Sequence, residues 1–285
     1  MSTSAKDIRK LAQALLRDQG FYSGDIDGIW GELSKKAFNR YTDHLQGLGL
    51  EIGGERIFTE DGMQDAVSGV VVLDPGHGGT SKTGGSSPNN ATSFSGVLEK
   101  VMTLDLVKRV RKQLKKFGDV NPGSNIKVNL TRSGDTNLGL SDRAQAAMSK
   151  RADVFLSIHF NGFNGSVRGT ETLILSTANG NVNEQEDLAL AESVQSATIT
   201  ALRRFDANTR DRGVKKNQRL GVLNDISLGN TRRDHNTRAC LLEVEFIDNP
   251  DVDKLLNTGP NANAVQEEIA SAIAEAIIDD LRVNA

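Results

Sequence analysis

Cysteine is nearly absent from this sequence of 285 residues, which contains only Cys240 and therefore forms no internal disulfide. Cys240 lies in an apolar run with Leu241 and Leu242, a setting that predicts a buried structural thiol. No segment approaches the roughly 20 apolar residues of a membrane-spanning helix, so we expect no membrane insertion. Positive charge is not in excess either, since the formal net charge is -3, and we expect no nucleic-acid partner.

An uninterrupted apolar core of the kind that marks a secretory signal is missing from the first 20 residues, where charged side chains interrupt an amphipathic pattern. We therefore expect a soluble monomer that is made in the cytoplasm. A target outside the cell membrane would then be reached by lysis, through a dedicated export machine, or after release of the protein.

Two short helices around a turn are predicted for residues 1–48. Apolar residues recur at helical spacing from Ile8 to Leu16, and Gly20 offers a natural helix stop. Glycines and aspartates suit tight turns over 24–31, and a second helical segment begins near Ser34. The pattern predicts a small all-α domain, which a linker with several glycines follows over 49–69.

The turn and the second helix resemble the small helical peptidoglycan-binding domain that is fused to many wall hydrolases. Its pattern runs G-x-x-D-G-x-[FW]-G-x-x-[ST]-x-x-A, and a Pro of the usual pattern is replaced here by Glu32. The resemblance implies that this unit binds peptidoglycan, whereas the alternative is that these residues only build a turn. The matching positions are Gly24, Asp27, Gly28, Trp30, Gly31, Ser34 and Ala37.

Apolar strands alternate with helical segments over 70–285, which predicts an α/β domain. We expect a mixed, mainly parallel sheet with helices on both faces. Three amphipathic helices are predicted, over 107–117, 188–205 and 265–281. Six strands are predicted, over 70–74, 126–131, 153–159, 170–175, 220–223 and 240–247.

Two histidines follow predicted strands: His77 lies on a glycine-rich loop after 70–74, and His159 ends 153–159. If these strands are parallel neighbours, both imidazoles arrive at the same edge of the sheet. Glu99 stands at the start of the following helix, where the helix dipole favours a carboxylate. Either histidine alone would more often be a structural residue, but a His2Glu set with an open fourth position is the arrangement of catalytic zinc.

Several sequence blocks occur in one order across 70–282: LDPGHGG, Leu-Glu-Lys, TRSGD, LSDRA, ADVFLSIHFN, RGTE, DRGV and LLEVEFIDNP. In these blocks the chain resembles the N-acetylmuramoyl-L-alanine amidase family of zinc enzymes. The resemblance implies the zinc amidase fold, with Zn2+ on His77, Glu99 and His159. It also implies that Glu243 is the catalytic acid/base, and we assign Asn161 and Glu245 to substrate binding.

The resemblance implies hydrolysis of the amide bond between N-acetylmuramic acid and L-alanine in peptidoglycan. A wall-binding unit without a signal peptide looks like a phage endolysin that acts on the wall after release from the host cytoplasm. A bacterial wall-remodelling amidase or an effector would share the chemistry. Two other classes stay open, a non-catalytic wall-binding protein and a zinc peptidase that acts on free peptides.

Glu245 stands where the family usually has glycine, and strand alternation would send it to the same face as Glu243. Two interpretations follow. Like-charge repulsion raises the pKa of one carboxylate, or an arginine such as Arg132 or Arg143 neutralises Glu245. We favour the arginine, because structural ion pairs are common. The polar residues 80–95 suit a mobile substrate loop.

Overall fold

The computed structural model describes residues 5–29, 32–47, 66–121, 123–216, 220–232 and 235–284. The chain divides into two compact units, Met1–Ala66 and Val67–Ala285. Within the described ranges, no helix is long and apolar enough to cross a membrane. Most of the predicted linker, together with Trp30 and Gly31, lies outside the described residues.

The first unit contains the two predicted helices, α1 (Ala5–Asp18) and α2 (Glu32–Gly47). Its small apolar core contains Leu16, Tyr22 and Ala37. Gln13 is buried beside this core, where its side chain accepts a hydrogen bond from the Gly28 N–H at 2.8 Å. The buried side-chain amide of Gln13 thus holds the turn between the two helices in place.

The second unit has a six-stranded sheet and six described α-helices. The strands are β1 (Ser68–Pro75), β2 (Asn125–Leu130), β3 (Val154–Asn161), β4 (Thr170–Leu173), β5 (Asp211–Lys215) and β6 (Arg238–Phe246). The helices are α3 (Glu99–Val120), α4 (Leu140–Lys150), α5 (Glu184–Arg203), α6 (Asp225–Leu228), α7 (Pro250–Asp253) and α8 (Ala262–Val283).

The strand order is β2-β1-β3-β6-β4-β5, and only the pairing of β4 with β6 is antiparallel among the described strands. This confirms the mixed, mainly parallel sheet. Because β1, β3 and β6 are adjacent and parallel, their carboxyl ends meet at one edge of the sheet. That edge is where such sheets bind ligands.

Alternation along the strands divides the apolar side chains between two cores. On one face, Leu73 and Leu156 join a large cluster with residues of α3, α5 and α8. On the other face, Phe155 joins a smaller cluster with residues of α4 and α6. Helices thus cover both faces, as predicted, and the three helices expected from their apolar stripes are α3, α5 and α8.

One expected strand is not a strand, and one observed strand was not expected. The apolar run 220–223 is not a strand, because Gly221–Leu223 forms a short 3-10 helix whose Val222 and Leu223 side chains are buried. The sixth strand is instead β5, an edge strand whose polar sequence DRGVK lacks the apolar run on which the expectation relied. β1 also begins at Ser68, within the range assigned to the linker.

Candidate active site

His77 lies on the loop that leaves β1, in a left-handed backbone conformation with φ of 60°. Such a conformation strains a residue with a side chain and persists only where surrounding contacts enforce it. One contact is the His77 carbonyl, which accepts a hydrogen bond from Arg143 Nη2 at 2.7 Å. Local contacts therefore determine the position of His77.

Two buried arginines hold this loop through hydrogen bonds to its backbone carbonyls. Arg143 donates to the carbonyl of Pro75 at 2.8 Å and pairs with the buried Asp74 at 2.8 Å. Arg132 donates to the carbonyls of Pro75 and Gly76 at 2.9 and 2.8 Å. Burial opposes the ionised form of Asp74, but the Arg143 charge and hydrogen bonds outweigh it and lower the pKa of Asp74.

Glu99 is the first residue of α3 and is fully buried. Its Oε2 atom accepts a hydrogen bond from the Ala91 N–H at 2.9 Å, and its Oε1 atom accepts one from the Phe160 N–H at 3.2 Å. Burial raises the pKa of Glu99, but contacts with His159 and His77 outweigh burial and lower that pKa to about 2. Glu99 is therefore ionised at neutral pH.

His77, Glu99 and His159 converge at the carboxyl edge of the sheet. Glu99 Oε1 lies 3.2 Å from His77 Nε2 and 3.0 Å from His159 Nδ1. One ligand atom from each residue lies within 4.8 Å of the other two, and the described residues contain this one such group. Tetrahedral ligands around zinc lie roughly 3.4 Å apart, so the three side chains could hold a metal ion with little movement.

The surroundings of His77 also fit a cation. Its Nδ1 atom lies 3.0 Å from both the carbonyl and the hydroxyl oxygen of Ser87, and because a carbonyl only accepts, a proton on Nδ1 of the neutral ring satisfies it. The lone pair of Nε2 then faces the Glu99 carboxylate, an arrangement that needs a proton or a metal ion between them. Burial lowers the pKa of His77, but Glu99 outweighs burial and raises it.

Glu243 lies opposite His159 in the register of β6 on β3. Its Oε2 atom is buried and has no hydrogen-bond partner in the described part of the chain. Burial and the nearby carboxylates of Glu99 and Glu171 raise the pKa of Glu243 well above its ordinary value. A carboxylate with one unsatisfied oxygen thus lies beside the candidate metal ligands.

Glu245 does not act together with Glu243. The register shifts between the pairs His159–Glu243 and Asn161–Phe246, so β6 contains one extra residue there, and this bulge interrupts the expected alternation along β6. Glu245 is fully buried, and its Oε2 atom accepts hydrogen bonds from the Gly169 and Phe246 N–H groups at 2.6 and 3.0 Å. Direct substrate binding by Glu245 does not fit this position, because the carboxylate is buried and binds backbone N–H groups of the protein itself.

An arginine does lie near Glu245, as expected, but it is neither Arg132 nor Arg143, because both of those side chains bind the loop after β1. Within the described ranges, Glu245 pairs with Arg168, whose Nη2 lies 3.9 Å from Oε1 and also pairs with Asp206. Burial raises the pKa of Glu245 despite these contacts. Arg168 is the first residue of the RGTE block, so the sequence already marked it as a residue shared with the amidase family.

Asn161, assigned to substrate binding, lies half-buried beside Glu171 and donates to its Oε1 atom at 3.1 Å. Glu171 also pairs with Arg212 at 2.8 Å, and the Arg212 guanidinium lies 5.1 Å from the centre of the Phe246 ring. Glu171 is opposite Glu243 in the register of β4 on β6. Glu171 and Arg212 were not among the residues expected at the site, although they belong to the RGTE and DRGV blocks.

In the first unit, the described wall-binding candidates build the turn. Asp27 accepts hydrogen bonds from the Gln13 side chain at 3.0 Å and from the Ile29 N–H at 2.8 Å. Gly28 has φ of 77°, a conformation that favours glycine. Gly24 is half-buried, and its carbonyl accepts from Arg17. Peptidoglycan binding by these residues stays a prediction, and Trp30 and Gly31 lie outside the described residues.

Comparison with known proteins agrees with this architecture. The family model for N-acetylmuramoyl-L-alanine amidase matches residues 71–279. AmiA, an N-acetylmuramoyl-L-alanine amidase of Escherichia coli K12, is 32% identical over 235 residues, covering 73% of this chain and 75% of AmiA. The endolysin of Bacillus phage SPP1 is 32% identical over 211 residues, covering 73% of this chain and 66% of the endolysin.

Solved amidases share the fold. The catalytic domain of CwlV, an N-acetylmuramoyl-L-alanine amidase from Bacillus (Paenibacillus) polymyxa var. colistinus, has a TM-score of 0.56 at 29% identity, covering 75% of this chain and 99% of that domain. An N-acetylmuramoyl-L-alanine amidase from Clostridium difficile 630 has a TM-score of 0.57 at 26% identity, covering 77% of this chain and 100% of that amidase. The chain therefore belongs to the N-acetylmuramoyl-L-alanine amidase family.

Proposed function

We propose that this chain hydrolyses the amide bond between N-acetylmuramic acid and L-alanine in peptidoglycan, with Zn2+ as its cofactor. The observation that carries the proposal is the convergence of His77, Glu99 and His159 beside the buried, unsatisfied Oε2 atom of Glu243. Membership of the amidase family supports the reaction and the substrate. The donor set supports zinc, because two imidazoles and one carboxylate are a ligand set of catalytic zinc sites.

Amide hydrolysis needs an activated water, a stabilised oxyanion and a proton for the leaving amine. His77, Glu99 and His159 would hold the zinc ion, which when bound polarises the amide carbonyl and makes water more acidic. Glu243 would accept the proton of the attacking water and pass it to the departing nitrogen. Burial and the neighbouring carboxylates of Glu99 and Glu171 raise the pKa of Glu243, and this direction favours a carboxyl group that takes up a proton.

Mass spectrometry of digested peptidoglycan tests the proposal. The wild type should release stem peptides with free L-alanine amino termini, and a chelated sample should release none. Glu243→Ala should lower the rate by about 100-fold or more, because general acid–base catalysis contributes that much. Glu192→Ala, which removes an exposed carboxylate on α5, is the matched control and should keep the wild-type rate.

Elemental analysis of the same samples separates the roles of the residues. Glu243→Ala should retain zinc, whereas His159→Ala should lose it. A wild type without zinc and without products would be a wall-binding protein, and one that cleaves only free peptides would be a peptidase. Undiminished release by Glu243→Ala would refute the role of Glu243.

We further propose that the protein acts as an endolysin, reaching the wall after release from the cytoplasm in which it is made, and that its first unit binds peptidoglycan. Similarity to the SPP1 endolysin supports this role, but AmiA is equally similar, so a wall-remodelling amidase is the second candidate. Expression in a bacterial host with and without a holin tests the role. Lysis only with the holin is expected, and lysis without it would contradict the proposed route.

A further inference from the structure

Two phenylalanine side chains are exposed to solvent on loops that adjoin the candidate metal ligands. Phe94 is 69% exposed and Phe163 is 77% exposed, whereas phenyl rings are usually buried in cores. Phe94 lies on the loop that leads into α3 and thus to Glu99. Phe163 follows β3, the strand that carries His159. Both rings therefore lie on loops that are continuous with candidate metal ligands.

The two loops are bound to one short segment after β6. The Phe94 N–H donates to the carbonyl of Ile247 at 3.0 Å, and the Phe163 N–H donates to Asp248 Oδ2 at 2.9 Å. Because Ile247 and Asp248 are consecutive and directly follow β6, the backbones of the two phenylalanines are held near each other at the carboxyl edge of the sheet. We call Phe94 and Phe163 the aromatic rim.

The loops also contact each other beside Glu99. A methyl group built on Gly162 would lie 2.9 Å from the Ala91 methyl group, so the two loops are in close contact there. The Ala91 N–H in turn binds Glu99 Oε2 at 2.9 Å. Ser95 anchors the Phe94 loop from its other side, through a 2.7 Å hydrogen bond to Asp253. The exposure of the rings is thus a property of loops with fixed hydrogen bonds.

We propose that the aromatic rim binds the glycan strand of peptidoglycan, with sugar rings stacked on the two phenyl groups. The proposal rests on the proposed amide hydrolysis at this site, because the scissile bond is attached to a sugar of that strand. Sugar rings present apolar C–H faces that fit flat aromatic surfaces, and covering such surfaces removes apolar area from water. The loop residues 89–98 and 162–166 contain no lysine or arginine, so the rim lacks charges for peptide carboxylates.

Calorimetric titration with soluble, peptide-free glycan strands tests the rim on the full chain. The double variant Phe94→Ala/Phe163→Ala should lose about tenfold in affinity, which corresponds to about 1.4 kcal/mol. Phe94→Trp/Phe163→Trp should bind like the wild type because it keeps both aromatic faces. Ile226→Ala removes a side chain of similar exposure, 70%, on α6 and should have no effect.

Kinetics with two substrates give a second readout. On intact sacculi the double alanine variant should raise KM about tenfold, whereas on a muramoyl peptide with a single sugar its kcat should stay within about twofold of the wild type. Unchanged glycan affinity, or an equal loss of rate on both substrates, would overturn the proposal. The proposal would also be overturned if the double alanine variant lost binding to phosphatidylglycerol vesicles but kept its glycan affinity. The aromatic rim would then bind a membrane surface.

The two proposals fail in distinguishable ways. A wild type that releases no stem peptides refutes the proposed hydrolysis, and calorimetry with peptide-free strands still decides whether the rim binds glycan. A wild type that releases stem peptides, with glycan affinity unchanged in the double alanine variant, refutes the rim alone.

Discussion

Gly76 leaves no space for a side chain beside the candidate metal site. A methyl group at this position would lie 2.3 Å from His159 Cε1 and 2.5 Å from His159 Nε2. We expect Gly76→Ala to displace the imidazole and to lower zinc affinity and stem-peptide release together, by about 10- to 100-fold, as for changes that misplace a metal ligand. Chelator competition measures the affinity, and mass spectrometry measures the release.

Gly118→Ala is the control for this substitution. Gly118 lies within α3, and a methyl group there meets nothing within 4 Å. Alanine should stabilise the helix by about 0.5–1 kcal/mol and leave zinc affinity unchanged. Equal zinc affinity in the two variants would show that the close approach at Gly76 does not position His159.

Glu171 lies opposite Glu243 in the sheet, and we expect its charge to affect the pH dependence of the proposed reaction. Its negative charge raises the pKa of Glu243, in addition to burial and Glu99. Glu171→Gln removes that charge and should lower the pKa of Glu243. In the proposed mechanism Glu243 accepts a proton only when ionised, so the rate should rise with pH through this pKa, and the rising limb of the kcat profile should move to lower pH.

Arg212 provides the opposite test, measured by the same pH profiles. Arg212→Met removes the partner of Glu171, leaves its charge uncompensated, and should move the limb to higher pH. The exposed Glu192→Gln should not move it. An unchanged limb in Glu171→Gln would mean that Glu243 does not respond to this charge.

Side chains of the site differ in how well the sequence predicts them. The convergence of His77, Glu99 and His159 could be predicted, because two strand ends and one helix start place them at a common edge. The contact of Glu171 with Arg212 could not, because it depends on the pairing of β4 with β5. The different surroundings of Glu243 and Glu245 depend on a bulge, and no residue type marks that bulge in the sequence.

Buried amide groups join secondary-structure elements on the side of the sheet near α6. The Asn230 side chain donates to Asp225 Oδ1 at 2.6 Å and to the Thr237 carbonyl at 3.0 Å, and it accepts from the Thr237 N–H at 2.7 Å. Thr237 directly precedes β6. Asn230→Ala would leave these buried groups unsatisfied and should lower the free energy of unfolding by about 3 kcal/mol.

Urea denaturation measures this effect. The control Asn208→Ala changes an exposed asparagine after α5 and should alter the free energy of unfolding by less than about 0.5 kcal/mol. A similar small change in Asn230→Ala would show that the buried contacts do not hold α6 to β6.

Elements were predictable where burial gives them a long apolar pattern. β1, β3 and β6 lie inside the sheet and have buried side chains on both faces, so their sequences are apolar runs. β5 lies at the edge and is polar, and nothing in its five residues distinguishes it from a loop. The run 220–223 shows the converse, since a short apolar segment can pack as a 3-10 helix.

At the scale of the whole molecule, the sequence predicts two units because helical spacing gives way to alternating strands and helices. We expect a chain that begins at Val67 to fold without the first unit, since the sheet, both its cores and the candidate site lie within Val67–Ala285. It should cleave a single-sugar muramoyl peptide at the full rate and bind sacculi more weakly. Thermal unfolding, kinetics and co-sedimentation measure these three properties.

If the shortened chain bound sacculi as well as the full chain does, the proposed wall-binding role of the first unit would be wrong. Failure to fold would show that the second unit depends on the first. The matched control is the full chain with Lys36→Ala, a change at an exposed residue of α2 that should leave the melting temperature unaltered.

Cys240 lies in the middle of β6 with none of its surface exposed, and burial raises the pKa of its thiol well above the ordinary value. Because it is the only cysteine among these 285 residues and is buried, the sequence offers no solvent-exposed thiol. A cysteine introduced at exposed Lys116 of α3 would then be the sole site for maleimide coupling. The enzyme could be attached to a bead or a surface in one orientation without first removing a native residue.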